Sequence, residues 1–215
     1  MIFRLEKDLV SELVELLKKD HNIKYVTREL RNGNNIADVV FSEDISRNHA
    51  IFEEYIQSYY YVNKILNKKR IKIDDLQIDS LTIQKEFKKF LKFLEKEGYI
   101  IIKGNNIEVI KKVKFATKNI VAIEAKLCDW KAGLEQALSY KVYSDYVYVA
   151  IEKTFYKNVD LEQFKLNNVG LILVEKGKMR KVFTPKKEKN IQLEIKYYML
   201  DKFISSLGRE QTINS

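Results

Sequence analysis

The chain has 215 residues, 39 Lys and Arg against 30 Asp and Glu, a net charge of +9, 46% apolar residues, one proline and one cysteine. That apolar share excludes wholesale disorder, no run approaches the roughly 20 apolar residues of a membrane helix, and the solitary Cys128 excludes a disulfide framework or a multi-cysteine zinc cage. The opening Met-Ile-Phe-Arg-Leu-Glu-Lys-Asp mixes charges before any apolar run and does not read as a secretory signal, so a soluble, cytoplasmic protein without a membrane partner is expected, and its basicity suits a polyanion.

Residues 3–20 read as an amphipathic helix, with Leu5, Leu9, Leu13, Leu16 and Leu17 at three- and four-residue spacing. Two β-like runs, Tyr25 to Leu30 and Ile36 to Phe41, flank the Asn-Gly turn signal of Arg31-Asn-Gly-Asn-Asn35. From about 51 to 112 the texture changes. A long helical run from Phe52 leads to a short segment at 74–79 and a second helix at 82–97 that Gly98 terminates, and a hairpin turning at Gly104 follows. Helix, short helix, helix and two-stranded wing is the order of a winged helix-turn-helix module. After residue 112, strands (120–127, 146–151, 169–174, 179–183) alternate with helices (130–143, 160–166, 191–207), which predicts an α/β fold with helices on the faces of a sheet. The expected division is a core over 1–50 and 113–215 with an inserted domain at 51–112.

The run Ile120-Val-Ala-Ile-Glu-Ala-Lys-Leu127 carries the most chemistry. Alternation puts Glu124 and Lys126 on one face of an otherwise apolar strand, where a charge is costly unless paired or metal-bound. A salt bridge at a strand end explains that pair as well as a catalytic site does. Asp38 is the one charge within Ile36 to Phe41; if the two strands are neighbours, Asp38 and Glu124 converge, and a hard divalent cation would relieve their repulsion. Glu6 falls within the apolar arc of the first helix, which nominates it for a metal-side or water-positioning role; the competing reading is an acid reaching out to water from the first turn. On the helix after the Glu-Ala-Lys strand, Gln136 and Tyr140 stand one turn apart on one face.

Asp38, Glu124-x-Lys126 and Gln136-x-x-x-Tyr140 together resemble the PD-(D/E)XK, or restriction-endonuclease-like, nuclease superfamily in its RecB-like form, and the opening Glu6-Lys-Asp-Leu-Val is similar to the first helix of Holliday-junction resolvases. Ala37 stands where the superfamily name has proline, and about 85 residues separate Asp38 from Glu124. The resemblance implies a mixed central sheet flanked by helices and a Mg²⁺- or Mn²⁺-dependent deoxyribonuclease, with endonucleolytic cutting expected. It implies that Asp38 and Glu124 hold the ion with Glu6 assisting, and that Lys126 orients or helps deprotonate the attacking water and offsets phosphate charge. Gln136 and Tyr140 would support substrate or ligands. DNA is the expected partner, with RNA as the alternative, and a homodimer is within the superfamily's repertoire.

The insertion holds 13 of the 39 Lys and Arg. Its second helix sets Phe87, Phe90, Leu91 and Leu94 on one side and Lys85, Lys88, Lys89 and Lys92 around the rest, after a cap region at Ser80 to Thr82. Those lysines, with Lys103 on the wing, are expected to meet nucleic-acid phosphates; a solvated lysine face is the plainer reading. Two rivals to the enzyme stand. One is a nuclease-like DNA-binding regulator or recombination accessory protein that no longer cuts, and the other is an oligomeric interaction protein in which Lys126 only neutralises Glu124. Cys128 reads as a packed thiol, and Tyr59 to Tyr61 cannot share one helix face, so packing is expected of them.

Overall fold

The Asn-Gly signal forms its hairpin with Gly33 at φ +59°, a left-handed turn that glycine adopts without strain. A computed structural model describes this and the rest of residues 3–45, 59–66, 68–76, 81–111 and 116–213. The chain runs α1 (Glu6–Asp20), β1 (Tyr25–Asn32), β2 (Asn35–Ser42), α2 (Tyr59–Leu66), β3 (Arg70–Lys72), α3 (Leu81–Lys96), β4 (Ile100–Lys103) and β5 (Asn106–Val109). It continues with β6 (Val121–Lys126), α4 (Trp130–Tyr140), β7 (Tyr146–Glu152), α5 (Leu161–Leu166), β8 (Gly170–Glu175), β9 (Lys178–Phe183) and α6 (Leu193–Ile213). It is an α/β fold, and two compact units emerge. One comprises the described residues up to Ile45, 117–192 and those from Lys202 onward; the other comprises the described residues of 46–116 together with 193–201.

The first unit is built on a mixed six-stranded sheet in the order β1-β2-β6-β7-β8-β9. Strands β6, β7 and β8 are parallel, and the hairpins at either edge are antiparallel. Alternation sorts the strands into two faces. Val39, Phe41, Ile123, Ala125, Ala150, Ile172 and Val174 form one apolar cluster with Leu9, Leu13, Leu16 and Leu17 of α1. Each buried Leu, Ile, Val or Phe among them contributes about 1.5–3 kcal/mol. The opposite face, with Ala122, Glu124 and Val149, lies under α4. Asp129 caps α4 by accepting from the Ala132 N–H at 3.1 Å. At the mouth of the insertion the Ser42 and Thr117 hydroxyls hydrogen-bond, and Thr117 Oγ1 lies 2.9 Å from Asp44 Oδ1. The ends of a long insertion are thereby held together, which limits its loop-closure cost.

The second unit packs α2 and α3 on a three-stranded sheet ordered β3-β5-β4, around Ile65, Leu76, Phe87, Phe90, Leu94 and Ile107. Gly98 ends α3 at φ +70°, while the Tyr99 N–H returns to the Leu94 carbonyl at 2.8 Å. Strand β3 was not expected, because three residues show no periodicity. Tyr197 of α6 joins this cluster, so residues 193–201 group with the insertion. The expected start of the long helix at Phe52, Asp79 and the Ser80 cap lie outside the described residues. Among the described residues no helix is long and apolar enough to cross a membrane.

Candidate active site

Register brings the acids together. In the β2/β6 ladder Val40 faces Ala122 and Val39 faces Ile123, and one further step sets Asp38 opposite Glu124 on the α4 face. The ladder stops there. The next β6 donor, the Ala125 N–H, is taken by Asp38 Oδ2 at 2.7 Å instead of by a strand carbonyl. Glu124 is 2% exposed, and its Oε1 lies 2.9 Å from Lys126 Nζ. A buried strand with an acid and an amine two residues apart on one face thus resolves into a direct ion pair beside a second carboxylate.

Helix α4 closes the site from above. A Cβ at Gly133 would sit 3.0 Å from both Lys126 Cγ and Val149 Cγ1, so the missing side chain lets the helix lie close on β6 and β7. Two turns later the Tyr140 hydroxyl reaches Glu124 Oε2 at 2.5 Å and the Ile36 carbonyl at 2.6 Å. Both of those atoms are acceptors and the hydroxyl has one proton, so it serves one of them at a time. Gln136, one turn earlier, is exposed and is not brought to the acids.

Glu6 reaches the site differently from expectation. The helix begins at Glu6, with Leu5 an extended cap residue that is 51% exposed, so Leu5 does not belong to the buried stripe. Glu6 is 50% exposed and is not buried within that stripe: in the first turn the stripe has run past the sheet, and the carboxylate lies 3.7 Å from Lys126 Nζ. Its neighbour is the amine more than the acid pair.

The electrostatics follow from this packing. Burial, then the charge of Glu124, pushes the Asp38 carboxyl from 3.8 up to about 6. For Lys126, burial pulls the ammonium down, but the hydrogen bond and charge of Glu124, with Glu6 and Asp38, outweigh it and hold the amine above its ordinary value. Burial and the adjacent Glu124 carboxylate push the Tyr140 phenol up, so it stays a neutral donor.

Sequence reasoning missed the lining of the adjacent cleft, about 430 Å³ in volume, where Lys7, Ser11, Arg28 and Glu29 stand with Glu6 and Asp38. A cleft of about 580 Å³ adjoins it, sharing Asp8, Ser11 and Arg28. Glu29, opposite Asp38 by register, adopts φ +53°, rare for a residue with a Cβ, and drops out of the β1/β2 pairing. No sequence signal marks it. In the second unit Lys85, Lys88, Lys89, Lys92 and Lys103 are all exposed; Lys89 pairs with Glu86 at 2.8 Å and Lys103 with Glu108 at 3.4 Å.

Asp38 and Glu124 suit a hard divalent cation: both donors are carboxylate oxygens, burial and then the charge of Glu124 raise Asp38, and the single Tyr140 proton cannot satisfy both of its acceptors. Among the described residues no group of three or more His, Cys, Asp or Glu is gathered for a metal. An ion here would rest on two carboxylates, with water and phosphate oxygens filling its shell, as Mg²⁺ tolerates.

No protein-family model and no curated protein matches this sequence. A solved structure, SPO1766 protein of unknown function from Silicibacter pomeroyi, is similar at 17% identity over 55% of this chain and 80% of that one, with a TM-score of 0.35.

Proposed function

We propose that this chain is a Mg²⁺- or Mn²⁺-dependent nuclease that hydrolyses phosphodiester bonds in DNA, with a restriction-endonuclease-like core and an inserted winged-helix module that contacts nucleic acid. The observation that carries the reading is the meeting of Asp38, Glu124 and Lys126 on adjacent strands, from positions 85 and more residues apart, with Glu124 buried and the amine on its carboxylate. Burying an acid this deeply next to a second one is costly, and carboxylates perturbed by burial and a charge partner cluster at functional sites. The insertion's order of elements and its β3-β5-β4 sheet support the winged-helix part.

Asp38 and Glu124 would hold the ion, which when bound supplies charge for the phosphate and acidifies water. Tyr140 and the Ala125 N–H fix the two carboxylates in place. Lys126, held on Glu124 at 2.9 Å, would orient or help deprotonate the attacking water and offset charge on the phosphate. Glu6, half-exposed and beside that ammonium, positions water from the solvent side.

Nicking of supercoiled plasmid with Mg²⁺ or Mn²⁺, compared between the natural chain and Glu124→Ala or Lys126→Ala, tests the reading. Cleavage that both variants lose supports it; equal activity in all three overturns it. One observation favours a second reading, a nuclease-like DNA-binding protein that does not cut: Lys126 and Tyr140 already engage both Glu124 oxygens. Salt-sensitive DNA binding with no metal-dependent turnover would decide for that version.

A further inference from the structure

The first unit carries a basic surface outside the acid site and the insertion. Residues 176–189 hold seven Lys and Arg against one acid, Glu188, a net +6, whereas all of residues 52–112 carry 13 against nine, a net +4. The segment comprises the β8–β9 turn, β9 itself and the loop that follows. Strand β9 ends the sheet, so its outer edge is unpaired among the described residues. Lys178, Arg180 and Lys181 are exposed along it, and Lys186 and Lys189 continue the exposed run beyond it.

These cations are thinly compensated: Lys181 stands 5.8 Å from the centroid of the Tyr148 ring, and Lys178 adds to the field on Glu175. Of the acids bordering the segment, Glu175 is held by Lys153 at 2.8 Å and Glu188 by Lys141 at 2.9 Å. Lys187 is used structurally, reaching Asp145 at 3.2 Å and Asn119 Oδ1 at 2.8 Å. Lys178, Arg180, Lys181, Lys186 and Lys189 form no ion pair among the described residues. Like charges this dense gather counterions, and a polyanion that displaces them gains free energy. Protection of an open edge against strand addition needs only a lysine or two within the strand, and it does not account for the run past its end.

Position adds to charge. Strands β6 and β8 both run parallel to β7, so the β8–β9 turn and Lys178 lie at the same end of the sheet as Glu124 and Lys126, and β9 then runs back antiparallel to β8, carrying the cations toward Lys186 beside Asn168 at the other end. Three strand spacings of about 4.8 Å put β9 some 14 Å from β6, well inside the roughly 34 Å of one duplex turn. The outward N–H groups of an edge strand are further donors for phosphate oxygens.

We propose that the β9 edge, through Lys178, Arg180, Lys181 and Lys186, is a docking track for the phosphate backbone of duplex DNA, gripping the substrate along a line that leads away from the phosphate that is cut. The proposal rests on the reading of the chain as a DNA nuclease, but its test separates the two. Binding of a fluorescein-labelled duplex is followed by anisotropy in EDTA across a salt series, and cleavage is followed with Mn²⁺. The full chain is compared with a variant carrying Arg180→Glu, Lys181→Glu and Lys186→Glu, and with one carrying glutamine at the same three positions. The expected result is an affinity loss of tenfold or more, with the reversal variant losing most. The slope of log K against log salt should be shallower by about 2.7 in the glutamine variant, the counterion equivalent of three phosphate contacts. Cleavage at subsaturating DNA should fall in step with the affinity. If the reversal variant fails to fold by circular dichroism, the glutamine variant carries the same comparison. Unchanged affinity and slope in a chain that still cuts overturns the docking track alone. Binding lost in the variants, with no cleavage by the natural chain, overturns the nuclease reading alone. Capture by phosphatidylserine vesicles but not by duplex also overturns the track.

Discussion

The acid cluster at the end of β6 and the lysine-studded helix α3 are both dense in charge, but they differ in what that charge costs. Glu124 is 2% exposed, between an ammonium and a phenol, whereas Lys85, Lys88, Lys89 and Lys92 stand in solvent. An exposed lysine costs almost nothing and fits a solvated helix as readily as a DNA contact. A buried carboxylate beside a second one is expensive, so its persistence calls for a counter-charge or a function. The physical argument for chemistry is accordingly stronger in the first unit than the argument for recognition is in the second.

The largest effect expected along that contrast is on cleavage. Glu124→Gln keeps shape and a hydrogen-bonding group but removes the charge that pairs with Lys126 and would face an ion; plasmid nicking should fall by about 10²–10³-fold or more. Next comes Tyr140→Phe, which removes the one proton that Glu124 Oε2 and the Ile36 carbonyl compete for. It should cost about 1–3 kcal/mol, read as a lowered melting transition, and leave duplex affinity unaltered.

Asp38 gives a prediction with a sign. Its carboxyl holds a proton up to about 6 in the folded chain against 3.8 ordinarily, so between those values the folded state binds more protons than the unfolded one. Stability contributed by this group therefore falls as pH rises through the window and stays lower above it. Asp38→Asn keeps an acceptor for the Ala125 N–H and should raise the melting temperature at about pH 7.5, with the gain vanishing near about pH 4, while cleavage is lost. An Asp38→Asn variant that melts below the natural chain at about pH 7.5 would contradict the account of a carboxyl raised by burial and by Glu124. The smallest effect belongs to α3: Lys88→Ala with Lys92→Ala should weaken duplex binding a few-fold, with a salt slope shallower by about 1.8, if the second unit touches DNA.

Much of this was legible in the chain because period and turn chemistry agree with the fold. Asn32-Gly33 turned the first hairpin, Gly98 stopped α3, and the alternation in Val121–Lys126 placed Glu124 and Lys126 on one face. The approach of Asp38 to Glu124 was conditional on neighbouring strands, and the register supplies that condition. Other features had no local signal. Glu6 falls between Leu13 and Leu17 around the helix axis, but it opens the helix and stands half-exposed, so its angle alone misled the reading; Leu5 continues the leucine spacing yet precedes the helix. Arg70–Lys72 is too short to show alternation. The left-handed Glu29 and the closeness of α4 at Gly133 depend on tertiary packing, which no spacing reports. The basic run along β9 lies open in the sequence, yet only the sheet order shows that it lines a free edge.

Anomalous diffraction from a crystal soaked in Mn²⁺ tests the central claim most directly. The account predicts one strong peak within bonding distance of both Asp38 and Glu124, with Lys126 Nζ moved off Glu124 Oε1 toward water or phosphate. No peak between the two carboxylates at saturating Mn²⁺, with the Lys126–Glu124 pair intact, would contradict it.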